Sequence, residues 1–427
     1  MLHRSIARAS PASSSVQVRR VHDFVRGPTP GGTYKIPLNN PKIVGVYSSR
    51  GNREYQEDAA SVASLQLDPV ELQYTLSKLR QPYRWDPSAA GSDFLASQVA
   101  AFGIYDGHGG RQVSSYLKDN LAGLIESVSS SEIPDLVDWT KERHAGYFKR
   151  WRGGALQRWT KYAPPAGGGN GESSNSSSAG GSGNGPEKVM TLEERLTLAF
   201  LQADKKILVE NEKAQRCGST ASLALLQSLD GPAQPYWAAQ KLAITIAHCG
   251  DTRALLCHRP TGQVIPLTEK HHAESRVEAA RLRRMGADLL VSDSFGESRW
   301  MGVVENTRGF GDGEWKPSGV TVEPDVNTRI IDGECPDHAY LILVTDGLTS
   351  LISDQEIIDL ARQSFDPTRA ARTIVHFAED LGAQDNCTCV VVPLAGWGDV
   401  GGSDTTRERR EYRRRGMEGM NTRMQRM

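Results

Sequence analysis

Three strongly apolar runs, each joined to an aspartate, constrain this chain more than any other feature. Residues 100–105 (AAFGIY) run straight into Asp106-Gly107-His108-Gly109-Gly110. Residues 339–344 (AYLILV) run into Thr345-Asp346-Gly347, and Asp385-Asn386 leads into residues 387–392 (CTCVVV). A continuous apolar run of this length reads as a strand buried on both faces. A carboxylate at the end of such a strand is held by a rigid element and faces out at the rim. One such aspartate is an ordinary turn residue. Three of them, far apart in sequence, can meet at one rim of a sheet, where carboxylates suit a hard cation such as magnesium or manganese.

The rest of the first unit supports strand, polar elbow and helix. Gly107 lets the backbone approach whatever the carboxylate binds. Val113, Tyr116, Leu117, Leu121 and Leu124 then recur at helical spacing. A chain of 427 residues with 38% hydrophobic content can bury a large core. The net charge of −1 gives no general attraction to nucleic acid or to an anionic membrane. No stretch of 18 apolar residues predicts a membrane span. Six cysteines, none in a C-x-x-C pair, read as reduced and mostly buried.

Residues 1–26 differ in composition. Arg4, Arg8, Arg19, Arg20 and Arg26 stand with five serines and one acid, Asp23, which is the composition of a mitochondrial or chloroplast transit peptide, and also fits a disordered basic arm. Gly27-Pro28-Thr29-Pro30-Gly31-Gly32 reads as a break before the main domain, expected over 40–396. Arg53, whose fork suits an oxyanion, and the pair Glu57-Asp58, which suits a hydrated divalent cation, stand on or beside an early hairpin. Taken alone, each also fits a solvated turn. Insertions are expected near 68–91 and 127–190. The first opens on Asp68-Pro69, a good helix start. The second holds a Gly/Ser-rich stretch at 166–186, expected to be disordered, and ends where Thr191 and Glu194 form a capping box. Asp251 sits in a tight turn between two strands, and Glu278-x-x-Arg281 lies in a helix. The tail 397–427 carries eight arginines from Arg407 to Arg426 and is expected to be disordered.

Taken in order, these blocks resemble the metal-dependent serine/threonine protein phosphatases of the type 2C family. The blocks are 53–59, 102–110, 218–221, 249–255, 278–281, 308–312, 341–348 and 385–392. The resemblance covers roughly residues 43–394 outside the insertions. It implies an α+β fold: a four-layer αββα sandwich of two antiparallel sheets flanked by helices, with the metal centre at one edge. It also implies hydrolysis of phosphoserine and phosphothreonine in proteins by direct attack of a metal-bridging water, with two Mg2+ or Mn2+ ions. Carried over, Asp106 would bridge the ions, the Gly107 carbonyl would complete one, and Asp346 and Asp385 would hold the other. Glu57 and Asp58 would orient water, Arg53 would grip the phosphate, and His108 would protonate the leaving oxygen. Asp251 would serve a weak third ion.

The chain departs from the family where Thr349-Ser350 follows Asp346-Gly347-Leu348 and where residues 268–273 (TEKHHA) replace Asp-His-Lys-Pro. Both departures fall on the supplementary metal site and the substrate flap. The leader and insert resemble fungal mitochondrial members, so the partners implied are phosphoproteins, among them the pyruvate dehydrogenase complex, in the matrix or intermembrane space. A catalytically dead phosphoprotein-binding module on the same fold would lack a metal aspartate, and all three are present. A two-metal nuclease would carry a basic surplus, which this chain lacks.

Overall fold

The computed structural model describes residues 21–144, 152–160, 189–283, 290–292, 298–300, 305–333 and 337–424. In chain order the strands are β1 (Phe24–Thr29), β2 (Gly32–Pro37), β3 (Gly45–Ser49), β4 (Ala59–Gln66), β5 (Gln98–His108), β6 (Gly218–Ser228), β7 (Lys241–Cys249), β8 (Arg253–His258), β9 (Val264–Pro266), β10 (Leu290–Ser292), β11 (Ser298–Trp300), β12 (Phe310–Gly311), β13 (Asp325–Asp332), β14 (His338–Val344) and β15 (Cys387–Pro393). The helices are α1 (Pro69–Ser77), α2 (Asp93–Ser97), α3 (Gln112–Ser127), α4 (Ile133–Arg143), α5 (Gln157–Thr160), α6 (Leu192–Glu210), α7 (Arg276–Arg283), α8 (Asp346–Thr349), α9 (Asp354–Ala361), α10 (Pro367–Asp380) and α11 (Arg407–Met424).

One sheet runs β13-β7-β6-β5-β4, with β12 paired to the start of β6; the other runs β3-β15-β14-β8-β9. All of these pairings are antiparallel. The apolar runs are continuous because both faces of each central strand are covered. On β5, Phe102 and Ile104 point between the sheets and meet Leu341, Leu343, Val390 and Val392. Ala101 and Tyr105 point the other way, onto α3 and α6. On β14 the inward pair alternates with Ile342 and Val344, which pack under α9 and α10. Side chains alternate faces along a strand, so two buried faces erase the polar alternation of a half-exposed one. The result is the expected helix–sheet–sheet–helix sandwich.

Local chemistry sets the helix ends as expected. Asp68 caps α1 through the amide of Val70. Thr191 and Glu194 exchange side-chain and backbone bonds to open α6. The five cysteines among the described residues are free and buried. No helix among the described residues is long and apolar enough to cross a membrane.

Both ends of the expected domain need correction. It begins well before residue 40. β1 and β2 form a hairpin in which Thr29 faces Gly32, so Pro30-Gly31 is a two-residue turn rather than a break. Val25 is buried against the inter-sheet core. The backbone of His22 bonds that of Ser64 in both directions, and Arg26 bonds Gln98. The tail is also ordered into structure. Trp397 and Val400 pack on the second sheet's helices, and α11 lies against α9. Buried Glu356 accepts from Arg409 at 3.0 Å and from Arg413 at 3.3 Å. The stretches 1–20 and 166–186 lie outside the described residues.

Candidate metal centre

The three strand-end aspartates share one rim because β5 and β14 end, and β15 begins, at the same edge of the sandwich. Asp106 is the third residue from the end of β5, and its Oδ2 receives the backbone amide of Asp346 at 3.4 Å. Gly107 has to be glycine, since a Cβ there would sit 2.4 Å from the Glu57 carbonyl oxygen. Arg53, Glu57, Asp106, His108, Asp251, Asp346 and Asp385 line one cleft of about 400 Å3.

Within it, carboxylate oxygens of Asp106, Asp251 and Asp346 come within 4.8 Å of one another. Asp251, expected to serve a weak third ion, also converges on Asp106 and Asp346. Asp385 lies in the cleft beside it. Its Oδ2 takes Arg53 Nη2 at 2.7 Å, and its Oδ1 takes the amide of Asn386 at 2.8 Å. Arg53, half exposed, is thus tied to a carboxylate at the mouth of the cleft.

Asp58 is buried, and its Oδ2 accepts from Thr345 Oγ1 at 3.0 Å and Thr388 Oγ1 at 2.8 Å. It therefore pins the ends of β14 and β15 together. Its Oδ1 has no hydrogen-bond partner among the described residues. Burial pushes the Asp58 carboxyl up to about 7, partly offset by the two threonine hydroxyls. Burial, then the carboxylates of Asp346, Asp58 and Asp251, hold Asp106 well above the usual carboxylate range. Burial and Asp251 push Asp346 up to about 6. Crowded, desolvated carboxylates disfavour their own charge, and a bound cation is what restores it. The donor set is all oxygen, as hard divalent ions require. These residues fit a metal centre.

A second group with converging ligand atoms shares Asp251. His272 Nε2 lies 3.6 Å from Asp251 Oδ2 and 3.7 Å from Glu305 Oε1. Both distances are longer than ordinary hydrogen bonds, and Nε2 is buried without a hydrogen-bond partner among the described residues. Ser350, in one of the two segments that depart from the resemblance, turns its hydroxyl to the Gly347 carbonyl at 3.2 Å.

The sequence reading missed four contributors. Asn386 accepts the Glu57 amide at 2.7 Å and donates to the carbonyls of Arg50 and Tyr55, so it fastens the Arg53–Glu57 loop to β15. Asp312 meets His108 Nε2 at 3.0 Å. His272 and Glu305 join Asp251. The only signal for Asn386 was its place after Asp385; Asp312 looked like a loop residue. His108 is half exposed at the cleft; desolvation by the cleft wall works against the charged ring, but Asp312, then Asp251 and Glu57, outweigh it and raise the imidazole above its ordinary range.

Over residues 172–387 the sequence matches the family described as Protein phosphatase 2C. It is 30% identical over 376 residues to Protein phosphatase 2C homolog 4 of Schizosaccharomyces pombe, covering 87% of this chain and 85% of that protein. It is 34% identical over 212 residues to Protein phosphatase 1K, mitochondrial, of Xenopus laevis, covering 48% of this chain and 52% of that protein. The fold superposes on a serine-threonine phosphatase 2C from Toxoplasma gondii with a TM-score of 0.50 at 17% identity, covering 88% of this chain and 100% of that one.

Proposed function

We propose a division of labour at this rim from one premise, that the chain belongs to the protein phosphatase 2C family of metal-dependent serine/threonine protein phosphatases. The observation that carries the proposal is the convergence of Asp106, Asp251 and Asp346 in one cleft with Arg53 and His108. Asp106, Asp346 and Asp385, with the Gly107 carbonyl and Asp251, would hold two Mg2+ or Mn2+ ions. When bound, the ions supply Lewis acidity and neutralise charge at the phosphoryl group. Arg53 binds the substrate phosphate as a planar fork, and Asp385 holds it at the mouth of the cleft until substrate arrives. Glu57 and Asp58 accept hydrogen bonds from water and orient it. His108 gives a proton to the departing serine or threonine oxygen. Asp251 with His272 and Glu305 would hold a third, weaker ion.

Manganese titration followed by electron paramagnetic resonance tests the ligand assignment. Wild type binds at least two ions, and Asp106→Asn and Asp346→Asn each bind fewer. Unchanged stoichiometry in both variants removes the assignment.

The substrates proposed are mitochondrial phosphoproteins, the pyruvate dehydrogenase complex among them. The support is the composition of the first residues and the name of one relative, which is itself mitochondrial. Because His22, Val25 and Arg26 are built into the domain, a leader that is removed ends before residue 21, not at 26. A reporter fused to residues 1–20 that stays cytosolic defeats this placement.

A further inference from the structure

We propose that Asp312 is a positioning residue for His108, fixing the ring so that Nδ1 delivers the proton to the leaving oxygen. The inference rests on the reading of His108 as the acid and adds to it the partner that sets its tautomer.

The pair is built across three strands. His108 ends β5 and faces Gly218 on β6; Gly218 in turn faces Gly311, which ends β12. Asp312 is the next residue. Two strand spacings, each about 4.8 Å, lie between the outer positions. The imidazole and the carboxylate cross that gap directly over Gly218. A Cβ on Gly218 would stand 2.4 Å from Asp312 Oδ2 and 2.6 Å from His108 Nε2. The missing side chain is the space in which the two groups meet.

Asp312 is also held in an uncommon shape. Its φ is 51°, the one positive value at a non-glycine position among the described residues. Aspartate tolerates the left-handed region better than most residues, yet such outliers concentrate at functional sites. The backbone on either side is fixed, since the Asp312 amide donates to Cys217 O at 3.2 Å and its carbonyl accepts from Trp315 at 2.9 Å. A loop aspartate commonly caps its own turn. This one instead places Oδ1 at 3.1 Å and Oδ2 at 3.0 Å from Nε2.

An ionised carboxylate only accepts, so the proton of this bond sits on Nε2. When the ring is charged, the proton left for transfer is on Nδ1. As the P–O bond breaks, its electron pair stays on the seryl or threonyl oxygen and takes that proton. The ring becomes neutral with Nε2–H still bonded to Asp312. Exchanging the carboxylate for an amide lets an NH2 group face Nε2 and favours the opposite neutral tautomer.

The test compares wild type, Asp312→Asn, Asp312→Ala, His108→Ala and the His108→Ala/Asp312→Asn double variant at saturating manganese. Asparagine accepts the left-handed backbone, so Asp312→Asn retains the fold. The substrates are a phosphothreonine peptide, whose leaving group needs the proton, and p-nitrophenyl phosphate, whose leaving group does not. Asp312→Asn is expected to lower kcat on the peptide by about 10–100-fold while leaving KM and the aryl phosphate rate within about twofold. The double variant should be no slower than His108→Ala. Equal loss on both substrates, or a further loss in the double variant, overturns the role of Asp312. His108→Ala losing equally on both substrates instead overturns the reading of His108 itself. NMR of the magnesium form labelled with 15N-histidine separates the two without kinetics. Neutral His108 in wild type is expected to carry its proton on Nε2, and a proton on Nδ1 sinks the inference whatever the rates show.

Discussion

At the residue scale, the fold spends its charged groups in two opposite ways. Glu278 is completely buried, yet it is paired. Its Oε1 accepts from Arg308 at 2.6 Å, and its Oε2 accepts from Arg281 at 2.9 Å and Thr307 at 2.6 Å. Burial alone would raise it, but Arg281 and Arg308 hold it down to about 2. Glu278→Gln removes the buried charge that Arg281 and Arg308 share, leaves Arg308 with Asp325 alone as its ion-pair partner among the described residues, and should cost about 3 kcal/mol in urea unfolding. A carboxylate depressed by folding contributes stability above its ordinary pKa and loses it as pH falls toward the folded value. The gap between wild type and Glu278→Gln should therefore narrow as pH drops from 4.5 to about 2. A gap independent of pH would mean that the lost packing, not the charge, stabilises this site. Asp106 is the reverse case, a carboxylate crowded by others. Asp106→Asn relieves that repulsion, so in EDTA it should melt no lower than wild type. Adding manganese should then raise the wild-type Tm by mass action and move the variant less. An equal shift in both proteins would place the ions elsewhere.

At the element scale, what the sequence revealed tracks what holds each element. The strands β5, β14 and β15 were legible because burial on both faces writes an unbroken apolar run. Their terminal aspartates were legible because polarity begins abruptly. The hairpin β1–β2 was not, since Pro28 and Pro30 mimic a linker. A two-stranded ribbon tolerates a proline that a central strand would not, and only the burial of Val25 by distant residues reveals the hairpin. Nor was α11 legible. Its arginines form no apolar stripe, and it is held by Glu356, Ser353 and the Leu351 carbonyl, 53 to 62 residues away. Asp312 met His108 across 204 residues of chain, over a glycine that carries no signal of its own. Two truncations check these elements. Removing residues 1–20 should leave Tm unchanged, while removing 1–26 should cost about 1.5–3 kcal/mol for each apolar side chain lost. Removing residues 407–427 should lower Tm by about 2–4 °C, since partly exposed arginines contribute roughly 1 kcal/mol each. No change in the last case would make α11 a passenger.

At the scale of the whole molecule, the sandwich is a frame that brings five chain regions to one rim, Asp251 among them. Residues 53–58 arrive ahead of β4, Asp106 lies two residues before the end of β5, and Asp346 and Asp385 flank β14 and β15. Asp58 and Asn386 then tie these regions to one another, so the cleft depends on both sheets at once. In the proposed division the frame supplies oxygens, a fork and a proton donor, and leaves the strongest electrophilic help to divalent ions. That division is the centre of the account, and release of phosphate from a phosphothreonine peptide tests it most directly. The account predicts turnover by wild type with manganese or magnesium, none in EDTA, and none by folded Asp106→Asn or Asp346→Asn at any metal concentration. Turnover that survives EDTA, or near wild-type turnover by either variant with manganese, would contradict it.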